Sequence, residues 1–70
     1  MMRILVKTSD GGFHLQEVSS ASGTSDGKLV FSTIHIAKTV VDLKDQQNLK
    51  MALVDLMRDG YVDLTDYDCV

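Results

Sequence analysis

The residue types best suited to metal binding or proton transfer are few and widely spaced in this sequence. His14 and His35 are the only histidines. Two histidines with one or two carboxylates could bind zinc, but metal sites usually show a close pair of the H-x₃-H or C-x₂-C kind, and the sequence contains none. We therefore expect two separate, exposed or half-buried histidines, and no resident metal or cofactor.

Carboxylates cluster near the C-terminal end, at Asp59, Asp63, Asp66 and Asp68. Such a cluster could hold a hard cation through its oxygen atoms. Its spacing does not match the calcium loop, and no glutamate follows at the offset that would supply the bidentate ligand. On an extended strand Asp66 and Asp68 point to one side and Asp63 to the other. We expect a solvated acidic edge, which would also discourage aggregation between sheet edges.

No nucleophile has the neighbours that enzymes use to activate one. Cys69 is the only cysteine, and the adjacent carboxylates of Asp66 and Asp68 should raise the pKa of its thiol. The serines lack the G-x-S-x-G pattern. The segment Gly23–Lys28 approaches a phosphate-binding loop, but it has one residue too few between the glycines, and Leu29 stands where Ser or Thr is required. We therefore predict that the protein is not an enzyme.

Length and composition narrow the class of protein. The 70 residues leave room for one domain, and a chain that is 44% hydrophobic with a net charge of −3 is too apolar to be disordered. A single cysteine forms no intrachain disulfide, so we expect a reducing, cytoplasmic setting. No apolar run approaches the ~18–20 residues of a membrane helix. The basic residues form no patch, so we expect neither membrane nor nucleic acid as a partner.

The first part of the chain has the residues of a hairpin, a loop and a long strand. Arg3–Thr8 and Phe13–Ser20 are predicted strands joined at Ser9–Gly12, because Asp-Gly and Gly-Gly steps supply the positive φ of tight turns. Residues 19–27 are predicted to be a mobile Ser/Gly loop, since small polar side chains bury little surface. Lys28–Val41 is the strongest strand by composition.

The second part of the chain is dominated by a predicted helix over Asp42–Asp59. Asp42 is a favourable N-cap residue, and Gly60 is well suited to follow the last turn. The apolar residues that recur on one stripe of this helix are Leu49, Ala52, Leu53, Leu56 and Met57. Tyr61–Val70 is predicted to be a last short strand or, after Leu64, a loose tail.

These elements predict an α+β domain in which a small antiparallel sheet, in the order ββ-β-α-β, packs against one amphipathic helix. The expected core residues are Ile4, Val6, Leu15, Ile34, Ile36, Leu49, Leu53 and Leu56. One helix covers only one face of a sheet, so Leu29 and Phe31 would lie on the open face unless a bulge re-aims the strand. Because so short a chain is marginal alone, we expect these two residues to mediate a homodimer.

Non-enzymatic binding of a protein partner is the function that these observations favour. Residues 41–70 carry seven aspartates against three basic residues, which would suit a basic partner. By analogy with small acidic products of phages and mobile elements, we expect an adaptor or inhibitor. Its expected partner-binding residues combine a second apolar strip of the helix with the acidic terminus: Met51, Val54, Tyr61, Asp63, Asp66 and Tyr67. The alternative is a small-ligand or metal-dependent protein with a site near the histidines or the C-terminal aspartates.

Overall fold

The computed structural model describes residues 2–70, which form six strands and one helix. The elements are β1 (Met2–Lys7), β2 (Phe13–Val18), β3 (Ser20–Gly23), β4 (Lys28–Ser32), β5 (Thr39–Asp42), α1 (Gln46–Asp59) and β6 (Tyr61–Asp63). The predicted α+β class is confirmed. No helix within residues 2–70 has the length and apolar character needed to cross a membrane.

The strands are divided between two three-stranded sheets. In the first sheet, ordered β2-β1-β6, β1 pairs antiparallel with β2 and parallel with β6. The second sheet, ordered β3-β4-β5, is antiparallel throughout. Only Ser19 separates β2 from β3, and its N–H donates to the Ser32 carbonyl at 2.9 Å. One nearly continuous segment therefore passes from the first sheet into the second.

The predicted loop and the predicted long strand both have wrong boundaries. Residues 19–27 are not a loop throughout, because Ser20–Gly23 form β3 and pair with β4; the expected mobility of this segment stays a prediction. Lys28–Val41 is not one strand, because residues 33–38 form a turn between β4 and β5. The Thr33 hydroxyl accepts hydrogen bonds from the backbone N–H groups of residues 35 and 36, at 3.2 and 2.9 Å. Such local bonds compete with the strand ladder.

A single cluster of buried apolar side chains is shared by both sheets and the helix. Its members are Ile4, Val6, Val18, Leu29, Phe31, Val41, Leu43, Leu49, Ala52, Leu56, Val62 and Leu64. Half of the predicted core is among them, and Leu53 packs against the cluster while remaining partly exposed. Three predicted core residues and one residue of the predicted helix stripe are instead exposed: Leu15, Ile34, Ile36 and Met57.

Leu29 and Phe31 lie at the centre of this cluster, with 0% and 1% of their surface exposed. The expectation that they form a self-association surface is therefore wrong. Both side chains belong to β4, the middle strand of the second sheet, and they pack inward against the rest of the core. The second sheet thus covers a face that a single sheet and helix would have left open.

The helix begins at Gln46, and its N-cap is Asp45 rather than the predicted Asp42, which belongs to β5. The Asp45 carboxylate accepts a hydrogen bond from the Asn48 N–H at 2.8 Å and so caps the first turn. Gly60 ends the helix as predicted. Its φ of 70° places it in the left-handed region, and its N–H donates to the Leu56 carbonyl.

The C-terminal residues return to the second sheet instead of forming a loose tail. The Asp42 N–H donates to the Asp68 carbonyl at 3.1 Å, and the Val70 N–H donates to the Val40 carbonyl at 2.8 Å. Cys69 forms an isolated bridge with Val41 between these two bonds. The chain end is therefore held against β5.

Gly27 and Gly11 provide a matched test of how closely the turn before β4 packs against the start of α1. Both have positive φ, but a Cβ at Gly27 would lie 2.8 Å from the Asp45 carbonyl carbon, whereas nothing lies within 4 Å at Gly11. Each alanine substitution carries the left-handed penalty of about 1–2 kcal/mol. We expect Gly27→Ala to lower the free energy of unfolding by about 1 kcal/mol or more beyond Gly11→Ala in urea denaturation. Equal losses would contradict this packing.

Candidate functional site

Helix α1 and strand β6 enclose a shallow groove, here named the α1–β6 groove. Its volume is about 150 Å³, and its lining residues are Asn48, Met51, Ala52, Asp55, Val62, Asp63, Leu64 and Tyr67. A second depression of about 280 Å³ lies on the outer surface of α1, lined by Lys50, Met51, Val54, Asp55 and Arg58. Met51 and Asp55 line both, so the groove and the depression form one continuous surface.

The anchoring of α1 in the core determines which side chains reach this surface. Ala52 and Leu56 are buried on the inner side of the helix. Met51 and Val54 consequently face outward, with 59% and 55% of their surface exposed. Their positions follow from the helical period of 3.6 residues.

Asp63 is placed at the groove by the alternation of an extended chain. The residues on either side of it, Val62 and Leu64, are both buried. Successive side chains of a strand point to opposite faces, so the carboxylate between them is directed away from the core. The buried neighbours therefore fix the position of the charged group beside the helix.

The structure brings together four of the six residues predicted to bind a partner. Met51, Asp63 and Tyr67 line the α1–β6 groove, and Val54 lines the adjoining depression. All of them belong to α1 or to the segment that begins with β6. The predicted apolar strip and part of the predicted acidic edge thus form one surface.

Tyr61 and Asp66 are exposed, but neither lines the groove. The sequence reasoning also missed Asn48 and Asp55, which do line it. The helical spacing could have identified both residues, because Asn48 and Asp55 lie three and four positions from Met51 and so share its face of α1.

The carboxylate of Asp63 is ionised at neutral pH and forms no ion pair with a basic group among residues 2–70. It accepts hydrogen bonds from the Thr65 N–H at 2.9 Å and the Thr65 hydroxyl at 2.7 Å. The backbone bond first, and then the hydroxyl bond, hold the pKa of Asp63 below its ordinary value of 3.8. The ion pairs formed within residues 2–70 include neither Asp63 nor Asp66.

Other aspartates near this surface are compensated by the chain's own basic groups. Arg58 donates to the Asp55 carboxylate at 2.8 Å, and Lys7 donates to the Asp68 carboxylate at 2.6 Å. The hydrogen bond from Lys7 lowers the pKa of Asp68. Of the aspartates at or beside this surface, Asp63 and Asp66 are therefore the ones that form no ion pair within residues 2–70.

The pKa of the Cys69 thiol is raised, as predicted from its acidic neighbours. Partial burial of the sulfur is the larger cause, and the Asp68 carboxylate adds to it. The Sγ–H donates a weak hydrogen bond to the Lys7 carbonyl at 3.9 Å. A raised pKa disfavours the thiolate, which is the nucleophilic form of cysteine.

Both histidines line a separate groove beside strand β2, here named the β2 groove. Its volume is about 610 Å³, and its lining residues are His14, Leu15, Gln16, Glu17, Thr33, Ile34, His35 and Ile36. Across the described chain, residues 2–70, no group of three or more His, Cys, Asp or Glu side chains is placed to hold a metal ion. The two histidines and Glu17 share a groove without forming the compact donor set that zinc uses.

Comparisons of the chain with protein families, with curated proteins and with solved structures find no match. The candidate site is therefore defined by the chain's own geometry. It joins an exposed methionine and valine on α1 to a carboxylate on β6 whose pKa is lowered and which forms no ion pair within the described part of the chain.

The hydrogen bonds that hold the Asp63 carboxylate can be tested by removing one of them. Thr65→Val deletes the hydroxyl donor but keeps the backbone N–H, so we expect the pKa of Asp63 to rise while staying below 3.8. The measurement is an NMR titration of the side-chain carboxyl carbon, with Thr8→Val as a control at a distant Asp-containing turn. An unchanged pKa of Asp63 in Thr65→Val would contradict the described geometry.

Proposed function

We propose that this protein is a non-enzymatic adaptor or inhibitor that binds a partner protein at the α1–β6 groove. The partner would present a basic residue next to an apolar side chain. The observation that carries the proposal is the position of Met51, which is exposed, lines both parts of the surface, and shares the groove with Asp63.

The apolar part of the surface supports a protein partner rather than solvent exposure alone. Met51 and Val54 lie side by side on the outer depression of α1. Burying a side chain of this size contributes about 1.5–3 kcal/mol to binding. Methionine adapts its shape to irregular contact surfaces, so Met51 is well suited to act as the central contact.

The charge of the surface supports a basic partner. Neither Asp63 nor Asp66 forms an ion pair within residues 2–70, and the sequence after Arg58 contains no basic residue. The Asp63 carboxylate gives the groove a local negative charge that attracts a positively charged group, while Lys50 and the Asp55–Arg58 pair line the adjoining depression. A lysine or arginine of the partner could therefore pair with Asp63 while its apolar neighbour covers Met51.

The size of the groove favours a side chain of a protein over a free small molecule. Small-molecule sites usually enclose ~300–1,000 Å³, whereas the α1–β6 groove has about 150 Å³ and the adjoining depression of about 280 Å³ lies on the outer surface of the helix. We place the interaction in the cytoplasm, because reducing conditions would keep the exposed Cys69 thiol free.

The proposal is tested by quantitative affinity capture from lysate of the cells that produce the protein. We expect Met51→Lys to reduce the captured partner by about tenfold or more, because it removes an apolar contact at the centre of the surface. Asp63→Asn combined with Asp66→Asn should also reduce capture, and more strongly at low salt, because exposed charges are screened at high ionic strength.

A matched control separates a local effect of the aspartates from a change of net charge. Ser9→Lys combined with Ser25→Lys raises the net charge by the same two units at exposed positions outside the groove. This control should capture as much partner as the unmodified chain. Equal capture by all variants, or an equal loss in the control, would contradict binding at the α1–β6 groove.

The alternative of a metal-dependent protein has one observation in its favour, the shared position of His14 and His35 in the β2 groove. Ligands that bind the native state raise its apparent stability. We expect Zn²⁺, Mg²⁺, Ca²⁺ and a nucleotide panel to leave the melting temperature unchanged. A zinc-induced rise that disappears in both His14→Ala and His35→Ala would support the alternative instead.

A further inference from the structure

Strand β2 ends the first sheet on one side and has an open edge. The sheet order is β2-β1-β6, so β1 is the only strand that β2 pairs with in the first sheet, within residues 2–70. β2 is six residues long and contains no proline or lysine. Proteins usually protect such edges with short strands, proline, lysine or bulges, because a free edge is a template for another strand.

The backbone direction of β1 follows from its bonds on the side opposite β2. The Arg3 N–H donates to the Gly60 carbonyl at 2.8 Å, and the Leu5 carbonyl accepts from the Leu64 N–H at 2.9 Å. Odd-numbered residues of β1 therefore direct their backbone groups toward β6. Even-numbered residues direct theirs toward β2, because the direction alternates along a strand.

The same alternation identifies the free groups of β2. Ile4 lies opposite Gln16, so the even-numbered residues of β2 bond to β1. Phe13, Leu15 and Glu17 direct their N–H and C=O groups outward, where no described residue bonds to them. Ser19 fits this alternation, because its N–H also points away from β1 and donates a hydrogen bond to the Ser32 carbonyl. The edge thus offers three donors and three acceptors to a further strand.

We propose that two copies of this chain pair antiparallel through the free edges of β2, with Leu15 of each copy on the two-fold axis. In this register Leu15 lies opposite Leu15 of the second copy, and Phe13 lies opposite Glu17 of the second copy. All three outward-facing residues of each edge then exchange backbone hydrogen bonds, six in all by the antiparallel pattern. Shifting the register by two residues would leave some of these groups unpaired or require Ser19, which already bonds to Ser32.

The side chains on the outer face suit the same register. Phe13 and Leu15 are 66% and 46% exposed, and Leu15 lies opposite Leu5 within its own sheet. Pairing would join Leu5 and Leu15 of both copies into one apolar row. Lys7 lies opposite Phe13 within its own chain, and Glu17 of the second copy would lie on the other side of that ring. Opposite charges thus flank the ring, and no like charges meet.

The β2 groove lies beside this edge. Its far wall is the turn at residues 33–38, where Ile34 is 81% exposed and Ile36 is also exposed. With Phe13 and Leu15, these residues form an exposed apolar group around the β2 edge. Apart from the two histidines, Glu17 is the only acidic or basic residue that lines the groove. A second copy is favoured over a foreign strand because the edge is complementary to itself in hydrogen bonds, apolar residues and charge.

Sedimentation equilibrium over ~10 μM to ~1 mM tests the proposal. A single pair of strands buries less than the ~800 Å² per partner of a standard interface, so we expect weak association that needs high protein concentrations. We expect the mass to rise from 7.7 kDa toward twice that value. Leu15→Arg places two like charges on the axis and should keep the mass at 7.7 kDa. The matched control Met57→Arg adds the same charge at an exposed helix position and should still dimerise. Thermal melting by circular dichroism verifies that both variants fold.

Hydrogen exchange of the unmodified chain locates the interface without any substitution. The amides of Phe13, Leu15 and Glu17 should exchange at least about fivefold more slowly at high than at low protein concentration. The Gln16 amide, which faces β1, should show no such dependence on concentration. A constant mass of 7.7 kDa, a dimer that persists in Leu15→Arg, or a monomer that binds foreign strands along β2 would each overturn self-pairing. The inference does not depend on the proposed partner at the α1–β6 groove.

Discussion

The packing of both sheets and the helix around one apolar cluster is the constraint on which the rest of the structure depends. Leu29 and Phe31 of β4 belong to the same cluster as Ile4 of β1 and Leu56 of α1. A chain of 70 residues supplies few such side chains, so each element can cover only one face of its neighbours. The outer strip of α1 and the free edge of β2 are left outside the core, and these are the two surfaces for which we propose partners.

Features that depend on neighbouring residues could be predicted from the sequence. The turn between β1 and β2 follows from Asp10-Gly11-Gly12, and the Asp10 carboxylate accepts a hydrogen bond from the Gly12 N–H. The end of α1 at Gly60 follows from glycine's freedom at positive φ. Met51 and Val54 were identified by the helical period alone. Each of these signals lies within a few residues of the feature that it predicts.

Features that depend on distant pairing could not be predicted in the same way. Ser20–Gly23 is composed of small residues, yet it forms β3 because β4 provides its ladder and Leu49 packs against it; a Cβ at Gly23 would lie 2.6 Å from a Leu49 methyl carbon. The burial of Leu29 and Phe31 depends on a second sheet, which no local sequence pattern indicates. At the site, Asp63 could be named from the sequence, but its position in one groove with Met51 depends on the parallel pairing of β6 with β1.

Site-specific photo-crosslinking tests the central claim, that the α1–β6 groove contacts a protein partner, most directly. A photoactivatable phenylalanine analogue would replace Met51 in one chain and Met57, an exposed residue of the same helix outside the groove, in another. In the cells that produce the protein, we predict one foreign protein crosslinked to position 51 and not to position 57. Excess unmodified chain should suppress this adduct, and excess Met51→Lys chain should not. The absence of an adduct at position 51, or equal adducts at both positions, would contradict the claim.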